Sequence, residues 1–181
     1  MQLFKPTKAV LGLVLAAAAM GAPATNGNKG NVQIPEGFTE VSEGVYYRNS
    51  SSPGISLAAE IHHCQISDTD GRTDEISALV DDCLQVYRDL AYDAEWVILG
   101  GRQKLIASYG TCWIGITVSR AIDSVTVGNV DLHTAVFESI TWYAKSFPDG
   151  KGGQVQRVGA YGWFHCGYNF GDACSWIIGT R

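Results

Sequence analysis

The sequence predicts an α+β fold: two helices packed on one face of a largely antiparallel sheet, a two-layer α/β sandwich stapled by disulfides. Three observations carry that expectation. Residues 76–91 and 132–147 repeat apolar side chains three and four apart, the spacing of a helix with one buried stripe. Residues 112–118 alternate Cys112, Ile114, Ile116 and Val118 with Trp113, Gly115 and Thr117, the period of a strand. Five cysteines are spread from Cys64 to Cys174.

At the N-terminus Lys5 and Lys8 precede an uncharged run, Ala9 to Met20, and Ala22-Pro23-Ala24 follows. A basic start, a short apolar core and a small-x-small cleavage site predict a signal peptide over residues 1–24. A spanning helix needs about 20 apolar residues, so the run is too short, and no second one of that length follows. No membrane span is expected. Removing residues 1–24 leaves 157 residues, one ordinary domain, and moves the formal charge from -5 to -7. An acidic surface argues against nucleic acid or anionic lipid as the main partner.

Residues 25–57 read as a flexible N-terminal arm, rich in Asn, Gly and Ser. Phe38, Val41, Val45, Tyr46 and Tyr47 let its middle dock as an extended piece. Asn49-Ser50-Ser51 is an N-glycosylation sequon, meaningful in an exported chain.

The folded domain is expected over residues 58–181. Ile76, Leu79, Val80, Cys83, Tyr87, Leu90 and Ala91 form the stripe of the first helix, with Thr73 or Asp74 as its N-cap. Strands are read at Trp96–Leu99, Leu105–Tyr109, Cys112–Val118 and Val125–Val127. Asp131 is the expected cap of the second helix, whose stripe is Leu132, Val136, Ile140, Tyr143, Ala144 and Phe147. Pro148-Asp149-Gly150 ends that helix, and two last strands, Val155 to Cys166 and Ser175 to Thr180, follow.

In an exported protein cysteines read as disulfides. Cys83 lies on the helix stripe and Cys112 on the inner face of its strand, so Cys83–Cys112 is the first choice. Cys64 then pairs with Cys166 or Cys174, and a Cys166–Cys174 bridge across the last hairpin is the rival. An odd count leaves one cysteine over, with Cys174 as the candidate free thiol or the link of a disulfide dimer. His62-His63-Cys64 and His165-Cys166 hold zinc-type ligands, but their spacing matches no compact finger, and no cofactor is expected.

Several segments, taken together, carry a family resemblance. Asp82-Cys83, Ala107-Ser-Tyr-Gly-Thr-Cys112-Trp, Val127-Gly-Asn-Val-Asp131, Val158-Gly-Ala-Tyr-Gly162 ahead of Cys166, and Trp176-Ile-Ile occur in one order. The chain thereby resembles the fungal secreted effector domain of the necrosis-inducing factors, homologues of an extracellular effector of a tomato leaf pathogen. The resemblance spans roughly residues 60 to 179. It implies four framework cysteines, at Cys64, Cys83, Cys112 and Cys166, and an association with virulence and plant cell death without a known enzymatic activity. Cys174 departs from that pattern.

Assembled catalytic chemistry is hard to find. No Gly-x-Ser-x-Gly elbow occurs, and the late glycines are followed by no helix carrying a Lys, as a phosphate loop needs. His133 reads as a solvated or capping side chain, and His165 as one of a surface stripe with Tyr161 and Trp163. Asp81-Asp82 and Asp68-Thr-Asp70 supply carboxylates whose separation decides their use. The aromatics Trp113, Tyr161, Trp163, Tyr168 and Phe170 are the candidate binding patch, for a host extracellular or cell-surface protein or glycan. The expected function is that of a non-enzymatic secreted effector. A toxin-like antimicrobial protein and a small secreted hydrolase are the alternatives.

Overall fold

The computed structural model describes residues 32–49, 60–90, 93–166 and 173–180. The expected signal peptide, both ends of the arm, and Tyr168 and Phe170 lie outside the described residues. In chain order the elements are β1 (Thr39–Ser42), β2 (Val45–Asn49), β3 (Cys64–Gly71), β4 (Ala78–Leu79), α1 (Val80–Asp89), β5 (Ala94–Leu99), β6 (Lys104–Tyr109), β7 (Cys112–Val118), β8 (Ser124–Gly128), α2 (Asn129–Tyr143), β9 (Lys145–Pro148), β10 (Gln154–Val158), β11 (Ala160–Cys166) and β12 (Ala173–Thr180). The strands form three antiparallel sheets, ordered β1-β2-β5-β8, β4-β10-β9 and β3-β11-β12-β7-β6. The chain is therefore mostly β. This overturns the expected two-layer arrangement of two helices on one sheet.

The physical reasons lie in particular segments. β3 reads Cys-Gln-Ile-Ser-Asp-Thr-Asp-Gly, and Asp and Gly are poor strand residues. It is nevertheless a strand, because β11 pairs along it from Cys64 opposite Cys166 to Gly71 opposite Ala160, with one bulge at Ser67. The middle of the arm is also strand. β2 pairs with β5 from Val45↔Ile98 to Asn49↔Ala94, and β1 folds back on β2. Val45 is fully buried there, which anchors the hairpin in the core.

Both helices are shorter than their stripes. Asp74 holds a local turn instead of capping α1, since its Oδ1 accepts from Ile76 N at 3.1 Å and from the Ser77 hydroxyl at 2.7 Å. Ile76 is left in solvent, and Ala78–Leu79 pairs with β10 before α1 begins at Val80. α2 ends at Tyr143, and Phe147 pairs across β10 with Val155. Residues 145–148 pair with β10 instead, and Pro148 favours that extended backbone at Phe147. The single last strand expected from Val155 is divided at Gly159, whose backbone is taken by Arg72 N (2.8 Å) and the Thr73 hydroxyl (3.1 Å).

The inner face of the five-stranded sheet carries Ile114, Ile116, Phe164, Trp176 and Ile178, all essentially buried. α1 packs on β6 and β7, and α2 on β3 and β11. Trp176 lies beside Phe164 with ring centroids 6.1 Å apart. Gly162 makes that possible. A Cβ there would sit 2.5 Å from the Trp176 ring and against the Asp68 carbonyl, so only glycine leaves room for the indole.

Candidate functional site

The cysteines settle into two bridges within the chain, Cys64–Cys166 and Cys83–Cys112. Cys83 comes from the buried side of α1 and Cys112 from the start of β7. Cys64 and Cys166 face each other in register across β3 and β11. Cys174 is a free thiol, 1% exposed, on the inner face of β12. It is buried within the sheet, whereas a dimer link would need it at the surface. Burial, reinforced by the negative charge of Asp131, pushes this thiol up to about 12.

Asp131 organises the ground beside these sulfurs. It is not the residue that precedes α2 but its third, with Gly128 in the cap position. Its Oδ2 accepts from the backbone N–H of Gly128 (2.8 Å), His63 (3.0 Å) and Cys64 (3.1 Å), and its Oδ1 meets His62 Nδ1 at 3.2 Å. Burial raises its carboxyl above the ordinary value, although these bonds pull the other way. Nearby, His63 Nε2 lies 2.9 Å from Glu95 Oε2, and Arg48 binds Glu95 Oε1 through Nε (2.8 Å) and a second guanidinium nitrogen. This network ties β2 to β5 and to the residues entering β3. Among the described residues no cluster of three or more His, Cys, Asp or Glu is placed to hold a metal ion.

The remaining carboxylates are separate from it. Asp82 Oδ2 accepts from Thr111 N (2.8 Å) and Oγ1 (2.7 Å), fixing the β6–β7 turn on α1. Asp68 and Asp70 stand opposite Trp163 and Tyr161 on the outer side of β3. His165 stands in the same row opposite Gln65, and its Nδ1 meets no partner among the described residues. Asn49 closes β2 and is exposed.

Three of the expected patch residues, Trp113, Tyr161 and Trp163, share the outer face of the five-stranded sheet. Much of their chemistry is used internally. The Trp113 indole lies flat over Gly115, where a Cβ would come within 2.5 Å of its ring, and its Nε1 donates to Thr180 O at 2.8 Å. Tyr161 donates its hydroxyl to Asp70 at 2.6 Å, and the Arg72 guanidinium covers its ring at 4.4 Å. Trp163 is the most open of the three, 45% exposed.

A concave site lies on the other side of the molecule, along α2. A groove of about 530 Å³ is lined by Tyr87 of α1, by His133, Phe137, Glu138 and Trp142 of α2, and by Glu60. Its floor is the Tyr87–His133 ring pair, with centroids 4.5 Å apart. His133 is buried, which overturns the solvated one of its two expected roles, while its bond to the last turn of α1 is of the capping kind. Its Nε2–H donates to Tyr87 O at 3.0 Å, and burial lowers its pKa, so the imidazole is neutral at pH 7. Phe137 and Trp142 stand 61% and 72% exposed above it. Among the described residues the lining carries two acidic side chains, Glu60 and Glu138.

Sequence reasoning missed this groove, although a signal was present. Phe137 and Trp142 fall off the stripe that α2 buries through Leu132, Ala135, Val136 and Ser139. Large aromatics displaced from a helix's own stripe are candidates for a surface role. Among the described residues no helix is long and apolar enough to cross a membrane.

The model of one protein family, Hce2, described as "pathogen effector; putative necrosis-inducing factor", matches residues 63–166. The match runs from the start of β3 to the end of β11, over more than half of the chain, and takes in both disulfides. No curated protein matches the chain.

Proposed function

Because this chain belongs to the Hce2 family of pathogen effectors, we propose that it is exported and acts by binding a host component, without catalysis, in a process that ends in plant cell death. Residues 1–24 have the pattern of a signal peptide, and two disulfides suit an oxidising exterior. The observation that carries the binding reading is the groove along α2. It is concave, and two open aromatics overhang it. Its acidic residues are Glu60 and Glu138, with no Lys or Arg among the described residues of the lining. That chemistry fits a host protein segment presenting Lys or Arg beside an apolar side chain: the cation meets Glu138 and the Trp142 face, and the apolar group meets Phe137.

The test uses the purified protein and a Phe137→Ala/Trp142→Ala variant, both infiltrated into leaves of many plant genotypes. Both side chains are exposed, so stability should change by no more than about 0.5 kcal/mol. The expected result is cell death with the wild type and its loss with the variant. Calorimetry with an Arg/Leu-containing peptide and its Glu/Leu counterpart should show binding of the former alone. A variant as active as the wild type, or a soluble glycan that competes where the basic peptide does not, refutes the groove's assignment.

A further inference from the structure

β11 lies between β3 and β12, and its cysteine, Cys166, lies within reach of a cysteine on each neighbour. On one side Cys166 stands in register with Cys64 and is bonded to it. On the other, Cys174 stands opposite Phe164, two positions from Cys166 on the same inner side of the sheet. The free Cys174 Sγ rests 3.9 Å from Cys166 Sγ. Three sulfurs thus form one row across three adjacent strands, those of Cys166 and Cys174 buried and that of Cys64 partly so.

We propose that Cys174 is a built-in exchange partner for the Cys64–Cys166 bridge, so that the chain has two disulfide isomers, one bridged at Cys64–Cys166 and the other at Cys166–Cys174. In the step, the Cys174 thiol gives its proton to solvent, and its thiolate attacks Cys166 Sγ. The Cys166–Cys174 bond forms as the Cys64–Cys166 bond breaks, and Cys64 leaves as a thiolate that takes up a proton. One disulfide is lost and one gained, with no net oxidation or reduction and no external reagent. Cys166 is the common member of both isomers.

The fold holds the exchange back without forbidding it. The closed sheet keeps the Cys174 thiol protonated, since burial and the charge of Asp131 oppose its thiolate. Loosening β12 hydrates the sulfur and returns it toward an ordinary thiol, which attacks readily. The consequence is large, because a bridge over a separation of 102 residues is replaced by one over 8. β3, an edge strand entered from His62 and His63, is no longer joined to the sheet's middle by a disulfide.

The experiment incubates the purified protein at pH 9 in sub-denaturing urea, quenches with an alkylating agent, and maps peptides without reduction. A Cys174→Ser variant is run beside it. The expected result is a Cys166–Cys174 linked peptide growing in step with alkylated Cys64, at least tenfold above the level in Cys174→Ser. A Cys64→Ser variant, oxidised in air, should show a Cys166–Cys174 bridge and no titratable thiol. Either of two outcomes overturns the proposal. One is wild-type protein in which Cys174 alone is alkylated at every time point. The other is folded Cys64→Ser protein that keeps two free thiols. If Cys64→Ser does not fold, the wild-type time course decides alone.

Discussion

Replacing Asp131 by Ala tests whether one carboxylate holds the start of α2 to the entrance of β3. Three backbone N–H groups converge on its Oδ2: Gly128, buried, and His63 and Cys64, partly buried. Losing the acceptor leaves the Gly128 donor unpaired, at about 1–3 kcal/mol. Water reaches the other two more easily, so each adds about 0.5–1 kcal/mol. The total is about 2–5 kcal/mol, a large part of the roughly 5–15 kcal/mol that stabilises a domain. Urea unfolding followed by Trp fluorescence measures it. With a slope near 2 kcal/mol per molar, the midpoint falls by about 1–2.5 M at unchanged slope. A fall under about 0.3 M refutes the reasoning, because the three donors would then have found water at little cost.

The pH dependence separates the charge from the shape. Burial raises the Asp131 carboxyl, so the native state keeps its proton to a higher pH than the unfolded chain does. The stability this group contributes is present below the ordinary value of 3.8 and is lost as pH rises through the raised one. Asp131→Asn has no such loss. Its deficit against the wild type should therefore narrow as pH climbs from 3 to 7.

Three other outcomes are expected. Replacing Cys83 and Cys112 together by Ser opens a separation of 29 residues, worth about 3.6 kcal/mol in the chain-entropy model, and the thermal midpoint measures the loss. Gly162→Ala drives a methyl group against the Trp176 ring and the Asp68 carbonyl; a destabilisation of about 1–3 kcal/mol follows, read by urea unfolding together with a changed near-ultraviolet dichroism of Trp176. His133 is held neutral by burial, so its contribution is present above the ordinary value of 6.5 and is lost as pH falls through the lowered one. The thermal midpoint should drop between pH 7 and pH 5, and drop less in His133→Gln.

Legibility in the sequence followed how plainly a segment alternates apolar and polar side chains. β7 sits inside the five-stranded sheet, and its alternation was plain from Cys112 to Val118. β3 and β1 lie at sheet edges, where one neighbour's ladder supports poor strand composition; a strand ahead of the first helix and an extended piece around residues 38–47 were expected, but their bounds were not legible. The helix stripes were real, but periodicity continued past the helices. Ile76 and Phe147 fit the spacing while their backbones are a turn and a strand. The outer-face row of Trp113, Tyr161 and Trp163 followed from period two alone. The α2 groove did not, because Tyr87 and Glu60 reach it only through the packing of α1 and of the residues before β3.

The in-register bridge between Cys64 and Cys166 also bears on how the protein behaves when crowded. β3 is an outer strand with one side open to pairing. A covalent pin at its first residue prevents it from sliding, because a one-residue slip would turn every side chain to the opposite face. Asp68 and Asp70 then stay fixed as charges along that rim, and charges on an open rim discourage another chain from adding a strand. A concentrated solution of this protein is accordingly guarded against fibre growth at β3 for as long as that bond is intact.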